Sequence, residues 1–231
     1  MIAFSLLGEA DLKVLRLDYI VPRLTSHLNT PYFGTITIMR TIKQQGNTST
    51  IRFEAKLFKI GSWTLLKLPK NASTKLPSRG MTMVAGTIND FRFQVALEPD
   101  GKGSHWFKLD KTMRKAVGAD AGDTVMLAIE PVKEWPEPNV PADLKNALAA
   151  APQAHTLWME ITPGARWDWI RWIRSTKQAE TRRRRIETAL SKLKAGDRRP
   201  CCFNRSVCTE PDVSNNGVLL EPAQMTAAKA K

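Results

Sequence analysis

Apolar and polar side chains alternate strictly from residue 50 to residue 57, which places one set on each face of a strand. The same period of two returns at 91–97 and 124–129, and shorter apolar runs lie between these segments. Turn-forming residues such as Asn89-Asp90 separate the runs. The pattern therefore predicts six short strands, at 50–57, 63–68, 83–88, 91–97, 104–109 and 124–129.

A small closed barrel is the arrangement that these strands favour, because an open sheet of this size would leave its edge strands unpaired. One helix is predicted within the barrel sequence, at Lys111–Val117. Asp110 is placed to cap its N-terminus, and Gly118 is placed to end it. We expect this small β-barrel domain to span residues 49–132.

A proline-rich segment follows the barrel and predicts an extended linker over residues 133–141. After it the apolar period becomes that of helices, and Trp158, Trp169 and Trp172 fall on apolar stripes. Four helices are therefore predicted in a helical domain at 142–196, with these tryptophans in its core. The expected fold class is α+β, a small β-barrel followed by a C-terminal helical domain.

Neither end of the chain shows a comparable pattern. Residues 1–48 contain one weak helical stripe and are predicted to be a disordered extension, and residues 197–231 are predicted to be a disordered tail. No run of about 18 apolar residues predicts a membrane span, and Gly8 and Glu9 interrupt the N-terminal apolar stretch, which makes it a poor signal peptide. Three cysteines do not make a disulfide framework, so we expect a cytoplasmic protein.

Basic charge is concentrated late in the chain. The 35 Lys and Arg exceed the 22 Asp and Glu, and ten basic but three acidic residues lie within 166–195. Such a field attracts nucleic acid, an acidic protein or a lipid headgroup, and Arg binds phosphate through paired hydrogen bonds. The other interpretation is a solvated helix with structural ion pairs. The candidate anion- or nucleic-acid-binding residues are Arg171, Arg174, Lys177, Arg182, Arg184 and Arg185.

A second candidate site lies around the N-terminus of the predicted helix at 111–117. His105, Lys111 and Arg114 are close in sequence there, and a helix N-terminus attracts anions, so the three are candidates to hold a small ligand. The alternative is a strand histidine with satisfied hydrogen bonds beside a capped helix. No spacing typical of a zinc site, a phosphate-binding loop or a catalytic nucleophile occurs. We therefore assign no catalytic residue, metal or cofactor.

Two sets of residues are similar to a known pairing of bacterial domains. Those in the barrel are Val84-Ala-Gly-Thr-Ile-Asn89, Gly103-Ser-His105, Lys111, Arg114, Gly118 and Gly122-Asp-Thr-Val125. Those in the helical part are Pro141-Ala-Asp-Leu144, Ala147-Leu148, Trp172-Ile173, Lys177-Gln-Ala-Glu-Thr-Arg182 and Arg184-Arg-Ile186. On these residues, 49–135 resembles a small β-barrel domain of unknown function. The stretch 140–196 resembles the bacteriocin-protection, YdeI/OmpD-associated domain to which that barrel is usually fused.

The resemblance implies a barrel of the double-split kind, related in shape to the AbrB/MazE-type swapped-hairpin folds, and a role in resistance to bacteriocins or cationic peptides. It supplies no catalytic residues. The leading hypothesis is a non-enzymatic cytosolic protein that binds an anionic partner through its basic C-terminal helices, in antimicrobial-peptide or envelope-stress resistance. One alternative is a nucleic-acid-binding regulator with a swapped-hairpin-like barrel, by analogy of fold alone. Another is a small-ligand-binding protein or enzyme that uses a cleft between barrel and helices.

Overall fold

The computed structural model describes residues 50–222, and the predictions for 1–48 and for 223–231 lie outside this part. The barrel strands are β1 (Ile51–Ile60), β2 (Trp63–Lys67), β3 (Thr82–Ile88), β4 (Phe91–Pro99), β5 (His105–Leu109) and β6 (Thr124–Pro131). Two short helices accompany them, α1 (Lys70–Ser73) and α2 (Lys111–Val117). The helical part contains α3 (Ala142–Ala149), α4 (Pro152–Glu160), α5 (Pro163–Arg174) and α6 (Ala179–Lys194). A small hairpin follows, β7 (Ser214–Asn215) and β8 (Val218–Leu219).

The six strands close into an antiparallel barrel in the order β1-β2-β5-β4-β3-β6, which confirms the predicted α+β architecture. In this register Ile51 and Gly86 both lie opposite Ile129, one on each side of β6. A Cβ atom on Gly86 would lie 2.1 Å from the backbone oxygen of Ala128. Strands β3 and β6 can approach each other this closely because position 86 carries no side chain.

The apolar faces of the strands meet inside the barrel, as the period of two predicts. Phe93 and Phe107 stack there with their ring centroids 5.6 Å apart. Burial of each large apolar side chain stabilises the fold by roughly 1.5–3 kcal/mol. The core includes Ile51, Leu57, Val84, Phe93, Val125, Leu127 and Ile129, with partly buried Phe53, Phe91 and Val95 packed against it.

Local turn and capping chemistry follows the sequence closely. Asn89 and Asp90 have φ angles of 42° and 66°, the left-handed backbone of a tight hairpin turn between β3 and β4. The carboxylate of Asp110 accepts a hydrogen bond from the backbone N–H of Met113 at 2.8 Å, and Gly118 ends α2 with a φ of 66°. Both helix signals predicted for 111–117 are therefore confirmed.

The helical domain packs its four helices around tryptophan. Trp158 of α4 and Trp169 of α5 are buried in one cluster, and Trp172 packs against Trp169 edge to face. Helix α5 begins at Pro163, because proline is favoured in a first helical turn and the Thr162 side chain caps the N-terminus. Within residues 50–222, none of the helices combines the length and the hydropathy that a membrane crossing needs.

The segment after α6 differs from its prediction as a disordered tail. Between residues 197 and 222 it turns back on the barrel, where Cys208, Val213 and Leu219 are buried beside Trp106. Its backbone is also held, since the N–H of Leu219 donates to the carbonyl of Asp100 at 2.9 Å. The ordered structure of this segment was not predicted, because the apolar residues of the segment are spaced irregularly and follow neither the helical nor the strand period. We call residues 206–222 the acidic tail.

Candidate functional site: the basic helices and the cleft beside the barrel

Arg171 is the most deeply buried of the predicted anion-binding residues. Its side chain on α5 is 0% exposed, and its Nε donates to Glu98 Oε2 at 2.8 Å. Glu98, near the end of β4, is also buried, so this ion pair joins the helical domain to the barrel. A buried charge that loses its partner is strongly destabilising. Arg171 is therefore paired with Glu98 in the interior and is not a free, solvated cation of the kind expected.

Arg174 and Lys177 follow Arg171 along the chain at a spacing of three. Arg174 donates from Nη2 to the second carboxylate oxygen of Glu98, and its Nε lies 3.7 Å from Glu210 Oε2. Lys177 Nζ lies 3.2 Å from Asp212 Oδ1. The last two carboxylates belong to the acidic tail. Two side chains predicted to meet an external anion thus face acidic groups of the chain itself.

Asp168 extends the same face of α5 one turn earlier and is also buried. Its Oδ2 accepts from Arg199 and lies 3.2 Å from Arg205 Nη2, and both arginines precede the acidic tail. The segment after α6 therefore covers a row of charges on α5. Sequence reasoning missed Asp168, although its spacing of three from Arg171 was a signal available for it. Nothing in the sequence pointed to Glu98, because its side chain meets Arg171 and Arg174 only once the barrel has closed and α5 lies beside the end of β4.

Two titratable groups of the acidic tail lie beside this row. Burial raises the pKa of Glu210, although the nearby Arg174 acts in the opposite direction. Burial also raises the pKa of the Cys208 thiol to about 11, so this cysteine is neutral at physiological pH.

Arg182 and Arg185 fix α6 to its neighbours. Arg182 donates to both oxygens of Asp143 on α3, at 2.6 and 2.9 Å, and these hydrogen bonds lower the pKa of Asp143. Arg185 donates to the Trp172 carbonyl at 2.8 Å and to Ser175 Oγ at 2.6 Å, and its guanidinium lies 5.6 Å from the Trp172 ring centroid. Both side chains therefore have structural contacts, in agreement with the alternative interpretation of the arginine run.

Arg184 is the most exposed of the six candidates. Its side chain is 72% exposed and that of Arg183, which the sequence analysis left out, is 59% exposed. Both pair with Glu180 on the same helix, at 3.0 and 2.8 Å. Solvated pairs of this kind contribute little to stability, so an incoming anion can exchange with Glu180.

A groove of about 360 Å³ lies between α3 and α6. Its lining includes the apolar side chains of Ala147, Ile186 and Leu190. Arg182 and Arg183 also line this groove, each beside a carboxylate partner, Asp143 and Glu187 respectively. The arrangement suits a ligand that carries a negative group attached to an apolar part.

His105, predicted as part of a small-ligand site, is 0% exposed. Its Nδ1 lies 2.7 Å from Ser73 Oγ and its Nε2 lies 2.9 Å from the Gly80 carbonyl oxygen. Burial lowers the pKa of His105, which favours the neutral imidazole. The histidine thus fits the structural alternative, because both ring nitrogens have partners and a ligand has no access to them.

Lys111 and Arg114 do not join His105. They lie on α2, beyond the end of β5, whereas His105 begins that strand. Lys111 is exposed, and Arg114 lies 3.3 Å from an oxygen of Asp120. The structure therefore corrects the expectation of one site formed by these three residues.

From residue 50 to residue 222, no group of three or more His, Cys, Asp and Glu side chains is placed to hold a metal ion. Cys201, Cys202 and Cys208 are free thiols. The nearby Lys192 ammonium lowers the pKa of Cys201.

Two protein-family models match the chain, one for each part of the architecture. A domain of unknown function (DUF1905) matches residues 52–129, and the family described as bacteriocin-protection, YdeI or OmpD-associated matches residues 137–196. Among curated proteins, none is similar enough to the chain to count as a relative. The matched ranges coincide with the barrel and with helices α3 to α6. Residues 137–196 are therefore similar to the bacteriocin-protection, YdeI or OmpD-associated family, and they follow a barrel that is similar to DUF1905.

Proposed function

We propose that the protein acts in bacteriocin or antimicrobial-peptide resistance as a non-enzymatic binding protein, and that it holds an anionic partner on the exposed face of α6. One observation carries this proposal. The side chains of Arg183 and Arg184 are 59% and 72% exposed, and their carboxylate partners lie on the same helix rather than in the fold's interior. These exposures support α6 as the binding surface, because Arg171 and Arg174 are instead paired with Glu98.

The charge of α6 supports an anion as the partner. The helix carries six basic and two acidic residues, and Asp143 and Asp197 pair with two of the basic ones, Arg182 and Lys192, so a net positive charge remains. Arginine forks match phosphate and carboxylate groups through two parallel hydrogen bonds. Exchange of a solvated carboxylate for such a group is energetically inexpensive.

The groove between α3 and α6 narrows the chemistry of that partner. A purely ionic ligand such as nucleic acid would leave the apolar side chains of Ile186 and Leu190 in this groove exposed to water. An anionic amphiphile instead places its headgroup at Arg183 and Arg184 and its apolar part in the groove. We therefore favour an acidic lipid surface over nucleic acid.

One further feature supports a binding protein rather than an enzyme in this proposal. Ser73 and His105 form a hydrogen bond that resembles a nucleophile and its base, but both are buried where a substrate does not reach them.

The test is cosedimentation of the full chain with vesicles, some of pure phosphatidylcholine and some with one third phosphatidylglycerol, at low and at physiological salt. Binding to the acidic vesicles that weakens with salt supports the proposal. The variant Arg183→Gln with Arg184→Gln is expected to lose most of that binding, about tenfold or more, since each basic residue near an anionic surface contributes about 1 kcal/mol.

The matched control is Arg52→Gln with Arg92→Gln, which removes two exposed arginines from the barrel. It should bind acidic vesicles nearly as the unmodified chain does. Equal loss in both variants would mean that net charge, rather than α6, determines binding, and the proposal would fail. Duplex DNA added in a parallel titration decides the alternative, because tight DNA binding with a steep salt dependence and no vesicle binding would favour a nucleic-acid-binding regulator.

A further inference from the structure

The acidic tail lies outside both family matches, which end at residues 129 and 196. It nevertheless covers surface that belongs to both matched domains. Trp106 and Leu65 of the barrel are buried beneath its apolar residues, and Arg171 of α5 donates to its Val207 carbonyl at 3.3 Å. The two domains therefore form a cleft that this chain fills with a segment of its own.

The cations of the cleft face acidic groups of the tail, although Lys67 and Arg174 also pair with the barrel carboxylates Asp100 and Glu98. Residues 206–222 contain three acidic residues and no basic one. Each acidic side chain lies near a different cation of the two domains, as a salt bridge or a longer ionic contact. The pairs are Glu210 with Arg174 at 3.7 Å, Asp212 with Lys177 at 3.2 Å and Glu221 with Lys67 at 2.8 Å.

Apolar anchors and backbone contacts accompany these charges. Val213 and Leu219 are fully buried, and the N–H of Leu219 donates to the Asp100 carbonyl at 2.9 Å. A Cβ atom on Gly101 would lie 2.2 Å from the carbonyl oxygen of Gly217, so the tail approaches the barrel backbone closely at this turn. The cleft thus recognises an extended segment by main chain, apolar side chains and carboxylates together.

The fit is incomplete where the cleft is most deeply buried. Arg171 Nη1 has no hydrogen-bond partner among residues 50–222 although it is buried, and Arg174 Nε reaches Glu210 only at 3.7 Å. The bond from Arg171 to Val207 is long at 3.3 Å. A buried donor without a partner destabilises the docked state, so a segment with better-placed acceptors competes with the resident tail.

We propose that this cleft is a docking site for an extended acidic segment of a partner protein, and that the acidic tail is a resident occupant which such a segment displaces. The site is formed by Lys67, Trp106, Arg171, Arg174 and Lys177. It is separate from the groove beside α6, and it binds a peptide rather than a lipid headgroup.

The test uses a fluorescent synthetic peptide of residues 206–222, titrated into full chains by anisotropy. Val213→Asp with Leu219→Asp places charges at the two buried anchors and releases the tail. Asn215→Asp with Asn216→Asp adds the same charge at exposed tail positions and serves as the matched control. We expect the released chain to bind the peptide at least about tenfold more tightly than the control. In the control the tail occupies the cleft, and the apparent affinity for the peptide falls in proportion to the fraction of molecules whose cleft is open.

A second peptide tests recognition by charge. With Glu210→Lys, Asp212→Lys and Glu221→Lys it should not bind the released chain. The proposal is overturned if the released chain, folded by circular dichroism, binds neither peptide, or binds both equally. If that chain does not fold, Glu210→Lys with Asp212→Lys in the full protein loosens the tail without a change in the core, and the same tenfold gain is expected.

Failure of this inference is distinguishable from failure of the proposed function. Arg183→Gln with Arg184→Gln should leave the peptide affinity of the released chain unchanged, since neither side chain lines the cleft. A parallel loss of peptide binding in that variant would show that the peptide binds α6 and would contradict the separate docking site.

Discussion

Removal of the Glu98 charge is the most informative single perturbation of the structural arginines. Glu98→Gln keeps the shape of the side chain but removes the carboxylate that accepts from Arg171 Nε at 2.8 Å. Because Arg171 is 0% exposed and Glu98 is 10% exposed, the guanidinium is left charged in a region without water. Breaking a buried pair in this way costs about 3–5 kcal/mol.

The ion pair between Glu98 and Arg174 adds little to this loss of unfolding free energy. Arg174, which also binds Glu98, is 28% exposed, and a partly solvated pair is worth about 1 kcal/mol or less. A domain is typically stable by about 5–15 kcal/mol, so the variant should still fold. We therefore expect urea unfolding at neutral pH, followed by circular dichroism, to show a lower midpoint with an unchanged slope.

Two further variants make this prediction specific. Arg184→Gln removes the exposed arginine of α6 and should change the free energy of unfolding by less than about 0.5 kcal/mol. Glu98→Gln combined with Arg171→Met removes both buried charges and should be more stable than Glu98→Gln alone. The reasoning is refuted if Glu98→Gln costs less than about 1 kcal/mol, or if the double variant loses the sum of the two single losses.

Three other expectations concern the rest of the fold. Burial opposes ionisation of Asp100, but hydrogen bonds from two backbone N–H groups, at 2.7 and 2.8 Å, hold its pKa below the ordinary value. The ionised carboxylate therefore stabilises the fold above about pH 4. This stabilisation is lost as the pH falls through the lowered pKa. Asp100→Asn should therefore flatten the acid limb of a plot of unfolding free energy against pH, and an unchanged limb would contradict this assignment. Gly86→Ala should lower the free energy of unfolding, measured by thermal unfolding, by about 1–3 kcal/mol or more, because the added methyl group meets the backbone of Ala128. An unchanged stability would show that β3 and β6 have room to separate. Arg182→Gln should return the pKa of Asp143 to its ordinary range in a carboxyl NMR titration, whereas a pKa that stays low would mean that another group stabilises this carboxylate.

Most of the fold was predictable because its signals are local. The alternation around Ile51 and Ile129 specifies strands, Asn89-Asp90 specifies a tight turn, and Asp110 with Gly118 bounds a helix. Each of these depends on neighbours a few residues away in the chain. Closure of the barrel then follows from the number and length of the strands.

The acidic tail was not predictable for the converse reason. Val213 and Leu219 have no periodic relation to their neighbours, and their burial depends on Trp106 about a hundred residues away in sequence. A segment with few apolar residues and several prolines and asparagines is typical of disorder when it is judged by composition. Only the cleft that the two domains form provides the surface against which it orders.

The exposure of individual arginines was not predictable residue by residue. The run Arg182 to Arg185 lies on one helix, but adjacent residues on a helix point in different directions. Arg182 and Arg185 turned toward α3 and α5, and Arg183 and Arg184 turned toward solvent. That division depends on where the neighbouring helices lie, which the sequence pattern does not encode.

Displacement of the acidic tail can be measured directly by hydrogen exchange of the isotope-labelled full chain, followed by NMR with and without an excess of the unlabelled peptide 206–222. The backbone amides of Cys208, Leu219 and Leu220 donate to the carbonyls of Gly217, Asp100 and Val213. The account predicts that these amides are protected in the chain alone and that they exchange faster when the peptide is added, while barrel amides do not change. Protection that equals that of the barrel and does not respond to the peptide, or no protection in the chain alone, would contradict it.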